Sequence, residues 1–226
     1  MMNTLPPSVS PWSSPKVVAR FSTSAPNSEL MQFATAEQRR GTGSRLLDIG
    51  CGAGSNAVPL ARIGWDVLGL DLSEAMLQAA TRRADEGNLT ATLRFESAPM
   101  ERLPVEDRSY DFIVAHGIWN LARSAVEFRQ ALQEAGRAAR PGAALFIFTF
   151  SRNTFPPEAA PVDGEPFVFT QFSGQPQCFL TEAQLIEELS IAGFVKEPGV
   201  PLKEYAQPQS GTMPAIYEGI FRRLSC

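Results

Sequence analysis

The chain has 226 residues, 20 Lys and Arg against 24 Asp and Glu, and a net charge of -4. A 44% hydrophobic and 19% charged composition supports a packed core and excludes general disorder and a long coiled coil. The pI near 5.2 leaves no overall cationic field for nucleic acid or an anionic membrane, and the length suits one domain with appendages.

The amino terminus reads as an appendage. Residues 1–16 hold four prolines, Pro6, Pro7, Pro11 and Pro15, and are expected to form a flexible arm that carries neither a helix nor a central strand. Met1 to Pro15 also lacks a charged n-region and an apolar h-region, and the longest apolar run is Ala143 to Phe148. The expectation is therefore a chain without leader or membrane span, located in the cytoplasm. From Lys16 to Gln38, apolar residues at irregular spacing predict one or two short helices that form a lid, so residues 1–40 divide from a main domain over 41–226.

The chain then alternates. Leu46 to Ile49 reads as a buried strand, Asn56 to Ile63 as a helix closed by Gly64, Asp66 to Leu70 as a second strand, and Ser73 to Glu86 as a helix closed by Gly87. Thr92 to Ser97, Asp111 to Ala115 and Ala143 to Phe150 give three more strands. A helix over Val126 to Arg140 precedes the last of these, with Pro141-Gly142 as the turn. Thr181-Glu182-Ala183-Gln184 has the form of a capping box for a helix to Ala192. Leu202 to Tyr205 and Ile216 to Leu224 read as a closing pair of strands. Such alternation predicts a parallel sheet with helices on both faces and ligands at the carboxyl ends of its strands.

The sharpest chemical signal lies after the first strand, in Asp48-Ile49-Gly50-Cys51-Gly52-Ala53-Gly54. Alternate glycines allow a tight turn and close approach of a ligand to the backbone. The G-x-G-x-G spacing departs from the G-x-G-x-x-G of nicotinamide dinucleotide sites. Asp71 ends the second strand, where its carboxylate can accept hydrogen bonds from both hydroxyls of a ribose, or else cap the helix near Ser73. The carboxylate of Asp48 either serves the cofactor or binds amides of the glycine loop. Cys51, Cys178 and Cys226 are isolated and show no metal-ligand spacing, which predicts no metal and a reducing compartment.

These features resemble those of the class I S-adenosylmethionine-dependent methyltransferases over about Leu46 to Leu224. The likeness rests on Leu46 to Gly54, Gly69-Leu70-Asp71-Leu72-Ser73, Leu103-Pro104 with Ser109 to Val114, and Arg140-Pro141-Gly142-Ala143. It implies a Rossmann-like, doubly wound α/β fold with a seven-stranded, mostly parallel sheet whose last strand is antiparallel. It also implies S-adenosyl-L-methionine over Gly50, Cys51, Gly52 and Gly54, with Asp71 on the ribose and adenine between Leu72 and the loop of Met100 and Glu101. Met76 and Ala115 join that set. Many relatives have an Asp after the third strand where Pro99 stands here, so adenine recognition falls to backbone near Met100 and Glu101.

The loop Ala115-His116-Gly117-Ile118-Trp119-Asn120-Leu121 should then lie beside the transferable methyl group. His116, the only histidine, is either a general base or a group packed beside the cofactor. Trp119 reads as substrate contact or core, and Asn120 as substrate contact or helix cap. Phe155 belongs to a proline-stiffened aromatic stretch, Ser151 to Phe179, that either walls an acceptor pocket or covers the sheet edge. Arg20 either faces the cofactor carboxylate or stays in solvent.

The expected activity is methyl transfer to a small or medium-sized acceptor through O, N or S. The absence of an Asn/Asp-Pro-Pro-Tyr-like motif weighs against base or amide nitrogen. A non-catalytic module binding S-adenosylmethionine or S-adenosylhomocysteine and a nicotinamide-dependent oxidoreductase are the alternatives. No oligomeric state follows from the sequence.

Overall fold

A computed structural model describes residues 11–41, 43–205 and 213–225. Most of the expected arm, Met1 to Ser10, lies outside the described residues, as does Cys226. Pro15, placed in that arm by its proline content, instead opens helix α1 (Pro15–Thr23), with Ser14 as the N-cap. Proline suits this position because the first helical N–H has no intrahelical partner and its φ is already helical. Helix α2 (Ser28–Arg40) is capped by Asn27, whose side chain accepts from the N–H of Leu30.

Strand β1 (Arg45–Ile49), helix α3 (Ala57–Arg62), strand β2 (Asp66–Asp71), helix α4 (Glu74–Glu86), strand β3 (Leu93–Ser97) and strand β4 (Tyr110–His116) follow in alternation. Helix α5 (Ala125–Ala138) leads into strand β5 (Ala139–Phe150). Pro141 and Gly142 therefore lie inside the strand rather than in a turn before it. The pairing of β4 with β5 shifts register between Tyr110 and Phe112, and this irregularity accommodates a proline and a glycine with φ 79°. A small hairpin of β6 (Val168–Phe169) and β7 (Gln177–Cys178) stands apart from the main sheet. Helix α6 (Glu182–Ile191), with the full capping box at Thr181 and Gln184, precedes β8 (Phe194–Lys196), β9 (Lys203–Tyr205) and β10 (Ile216–Arg223).

The sheet has the order β3-β2-β1-β4-β5-β10-β8, with β9 paired to the free stretch of β10. Strands β1 to β5 are mutually parallel, and β10 alone runs against its neighbours. The mostly parallel sheet is the expected α/β architecture. It has eight strands rather than seven, because the three residues of β8 give no periodic signal long enough to read.

Alternation along the strands divides the core. Leu47, Ile49, Ile113, Leu145 and Ile147 face α5 and α6, whereas Leu46, Val67, Phe112, Val114 and Phe146 face α2 and α3. Helix α1 buries no residue; Val17, Val18 and Phe21 rest on Ala53, Met76 and Ala79. Helix α2 is held by polar contacts as well. Buried Glu37 binds the Arg222 guanidinium on β10 at 2.8 Å, and Arg222 also binds Glu197. Asn27 Nδ2 donates to Glu218 Oε2 on β10 at 2.6 Å, and its N–H donates to Asn56.

Candidate functional site

The strand order turns outward in both directions from β1 and β4, so the chain leaves these strands toward opposite sides and opens a crevice at their carboxyl ends. A cavity of about 720 Å³ occupies that place, within the usual range for small-molecule sites.

The glycine turn forms its floor. The N–H groups of Gly50 and Cys51 both donate to Leu70 O, at 2.7 and 2.9 Å, which folds the turn back on β2. The N–H of Gly52 donates to Asp71 Oδ2 at 2.9 Å, and Asp71 Oδ1 accepts from the N–H of Ser73 at 2.8 Å. Asp71 thus joins two turns while lining the cavity. The N-cap of α4 is Ser73, not Asp71. At Gly50 (φ 73°) a Cβ would meet Ile118 at 2.6 Å, so the residue is required by close approach. At Gly52 (φ 52°) a Cβ would meet only Phe21, at 3.7 Å, and would otherwise stand in the cavity.

Of the residues singled out in the sequence, Arg20, Gly50, Gly52, Asp71, Leu72, Met76, Met100, Glu101 and His116 share this lining. Asp48, Cys51, Gly54, Ala115, Trp119, Asn120 and Phe155 are not part of it. Asp48 is 1% exposed, and its Oδ2 has no hydrogen-bond partner. The N–H groups of Gly50, Cys51 and Gly52, the alternative partners read for it in the sequence, bind Leu70 and Asp71 instead. Burial, and next the neighbouring Asp71 carboxylate, push the Asp48 carboxyl up to about 8. Burial likewise holds the Cys51 thiol well above its ordinary range. Trp119 and Ala115 belong to the main core. Asn120 is buried, and the cap of α5 is Ser124. Phe155 stacks on Phe169 at 5.0 Å, within the aromatic loop.

His116 stacks on Phe148 with centroids 4.3 Å apart and planes at 16°. Burial lowers its imidazole to about 4, so it is neutral at pH 7. The sequence reading did not single out Trp12, Ile118, Phe148, Phe150, Met213, Pro214 or Ile216 as site residues, although all line the cavity. Phe146, Phe148 and Phe150 recur at period two toward the carboxyl end of β5, and this was the legible signal. Trp12 has none; its ring meets Phe21 edge-on at 5.8 Å, and its carbonyl accepts from Ser73 Oγ. Among the described residues, no group of three or more His, Cys, Asp and Glu could hold a metal ion, and no helix is long and apolar enough to cross a membrane.

Residues 46–142 match the family described as "Methyltransferase domain", a span that contains the glycine turn, Asp71 and His116. These residues are similar to a class I S-adenosylmethionine-dependent methyltransferase domain. The cofactor of this domain is S-adenosyl-L-methionine, and the open cradle at Gly52 beside an acidic strand end fits it. The chain is 33% identical over 110 residues to the ubiquinone biosynthesis O-methyltransferase of Mesorhizobium japonicum, covering 49% of this chain and 42% of that protein. It is 34% identical over 116 residues to the demethylmenaquinone methyltransferase of Renibacterium salmoninarum, covering 51% and 45%. The matched stretches thus span under half the length of these relatives. Among solved structures, the [4+2]-cyclase SpnF shares the fold with a TM-score of 0.68 at 19% identity, covering 88% of this chain and 82% of that one.

Proposed function

We propose that the chain transfers the methyl group of S-adenosylmethionine to a small-molecule acceptor. The observation that carries this reading is Asp71, which ends β2 between the glycine turn and Ser73 and opens on the same cavity as Gly50 and Gly52. In this reading Asp71 accepts the ribose hydroxyls, Leu72 and Met100 enclose the adenine, and Glu101 and neighbouring backbone meet its edge. Met76 and the floor glycines complete the cradle, and Arg20 of the cap, the described part of residues 1–40, faces the cofactor carboxylate.

The bound cofactor supplies a methyl group already activated by sulfonium. The protein's task is to hold the acceptor in line behind that group and to keep water out. His116 lies at the β4 end of the cavity, and its neutral ring is available to accept a hydrogen bond from the acceptor. The two quinone-biosynthesis relatives support an acceptor of that ring type, through oxygen or carbon. Two buried free thiols, Cys51 and Cys178, support action in a reducing compartment such as the cytoplasm.

The cyclase that shares this fold supports a second reading, in which the cofactor is bound and no methyl is transferred. Calorimetric titration with S-adenosylmethionine, S-adenosylhomocysteine and NAD, followed by mass analysis of a quinol and phenol panel, decides between them. Binding of the first two and a product heavier by one methylene are expected. Tight NAD binding without either would overturn the proposal, and cofactor binding with no methylated product across the panel would favour the second reading.

A further inference from the structure

The charges around the cavity are distributed unevenly. Asp71 and Glu101 stand at the ends of β2 and β3, Arg20 lies on α1 against α4, and Arg123 is tied to Glu127 and feels Glu101. At the opposite end, the described lining from β4, β5 and β10 consists of His116, Gly117 and apolar groups, with Phe148, Phe150, Met213, Pro214 and Ile216 forming the far wall. An anionic or cationic acceptor would leave water here without a counter-ion, at a cost that apolar contact does not return.

The wall is also aromatic. Phe148 lies opposite His116 in the β4–β5 register, and the two rings are nearly parallel. Phe150 lies two residues, or about 6.6 Å, further along β5, opposite Ile216 of β10. Its ring is fixed from behind by Phe172 at 5.6 Å and by Phe179 at 5.0 Å. Phe179 is fully buried and packs in turn on Phe155 and Phe169. The long aromatic loop therefore reaches the cavity through Phe150.

Resting on the assignment of the β1–β2 half to S-adenosylmethionine, we propose that the β4–β5–β10 half takes an uncharged, flat ring as acceptor. Phe150 determines which rings fit, and Phe172 is a positioning residue that holds it. Aromatic faces favour offset or edge contact with a second ring, which a saturated ring of equal size does not return.

The test uses the full chain saturated with S-adenosylhomocysteine and three probes of matched skeleton: 1-naphthol, decahydro-1-naphthol and 1-naphthoate. The neutral flat probe should bind about tenfold more tightly than either of the others. Phe150→Ala should abolish that preference while S-adenosylhomocysteine affinity stays as in the wild type, and Phe150→Leu supplies the same comparison if the alanine variant does not fold. Phe172→Ala should reduce the naphthol to decahydronaphthol affinity ratio, and Phe172→Tyr should restore it. Equal or tighter binding of the saturated or anionic probe overturns the acceptor class, and an unchanged ratio in the Phe150 variants overturns its role. Failure of the wild type to bind S-adenosylhomocysteine overturns the cofactor reading and this one together, whereas cofactor binding without ring preference overturns this one alone.

Discussion

Replacing Asp48 by Asn should change how stability depends on pH, by an amount that follows from one proton. In the folded chain the carboxyl is buried, Oδ2 has no partner and Asp71 lies close, so its folded value of about 8 stands above the ordinary 3.8. Between these values the folded state holds a proton that the unfolded state has lost, and stability falls by about 1.4 kcal/mol for each pH unit gained. His116 acts in the opposite sense. Its value is lowered from 6.5 to about 4, so between these limits the unfolded state holds the extra proton and stability rises by the same slope. The two slopes cancel between about pH 4 and 6.5, and from there to pH 8 Asp48 acts alone, removing roughly 2 kcal/mol. The amide of the variant carries no proton to lose. The stability of Asp48→Asn minus that of the wild type should therefore rise by about 1.4 kcal/mol per unit from pH 4 to 8 and then level off. Urea unfolding of both proteins at half-unit intervals measures this, and scanning calorimetry should give a relative gain of about 4 to 8 °C between pH 6.5 and 8. Parallel curves for the two proteins would show that Asp48 is ionised in the fold and would refute the reasoning.

Asp71→Ala should weaken S-adenosylhomocysteine binding by about 1.5 to 3 kcal/mol, or roughly 10- to 150-fold in Kd, through loss of hydrogen bonds to a charged group; unchanged affinity in a folded variant would remove Asp71 from the ribose. Gly52→Val places a branched side chain at a left-handed φ of 52° and fills the cradle, so it should abolish cofactor binding in calorimetry while the far-ultraviolet circular dichroism keeps its shape. With His116 near 4, wild-type turnover should be flat from pH 6 to 8 and fall only in strong acid. An inflection near 6.5 would contradict a buried, neutral ring. His116→Gln should lose less than about 10² in turnover, because so weak a base takes up a proton poorly, and a loss of 10² to 10⁴ would establish general-base catalysis.

Much of the frame was legible because it is local. The glycine turn, the acid ending β2 and the capping box at Thr181 and Gln184 are short-range patterns with direct backbone causes, and the apolar alternation placed β1 to β5 within a few residues. What was missed depended on distance or brevity. Three residues of β8 form a strand only because Arg222 of β10 lies beside Val195. Trp12 reaches the cavity only through α1 resting on α4, which no periodicity encodes. Asp48 looked like a ligand because it adjoins the glycines, yet strand alternation turns it to the face opposite Leu47 and Ile49.

The polar ties of α2 have a consequence for how the chain comes to be folded. Glu37 and Asn27 both find their partners on β10, in Arg222 and Glu218, and these contacts span 185 and 191 residues. At about 5 to 20 residues per second, synthesis reaches Arg222 roughly 10 to 35 s after it passes Arg40. Strands β1 to β5 can pair through local crossovers during that interval, while neither Glu218 nor Arg222 is yet made. Helix α2, although made before the sheet, thus gains its polar ties late, from a strand made long after it. A ribosome stalled before β10 emerges should carry an assembled parallel sheet with α2 still open to protease.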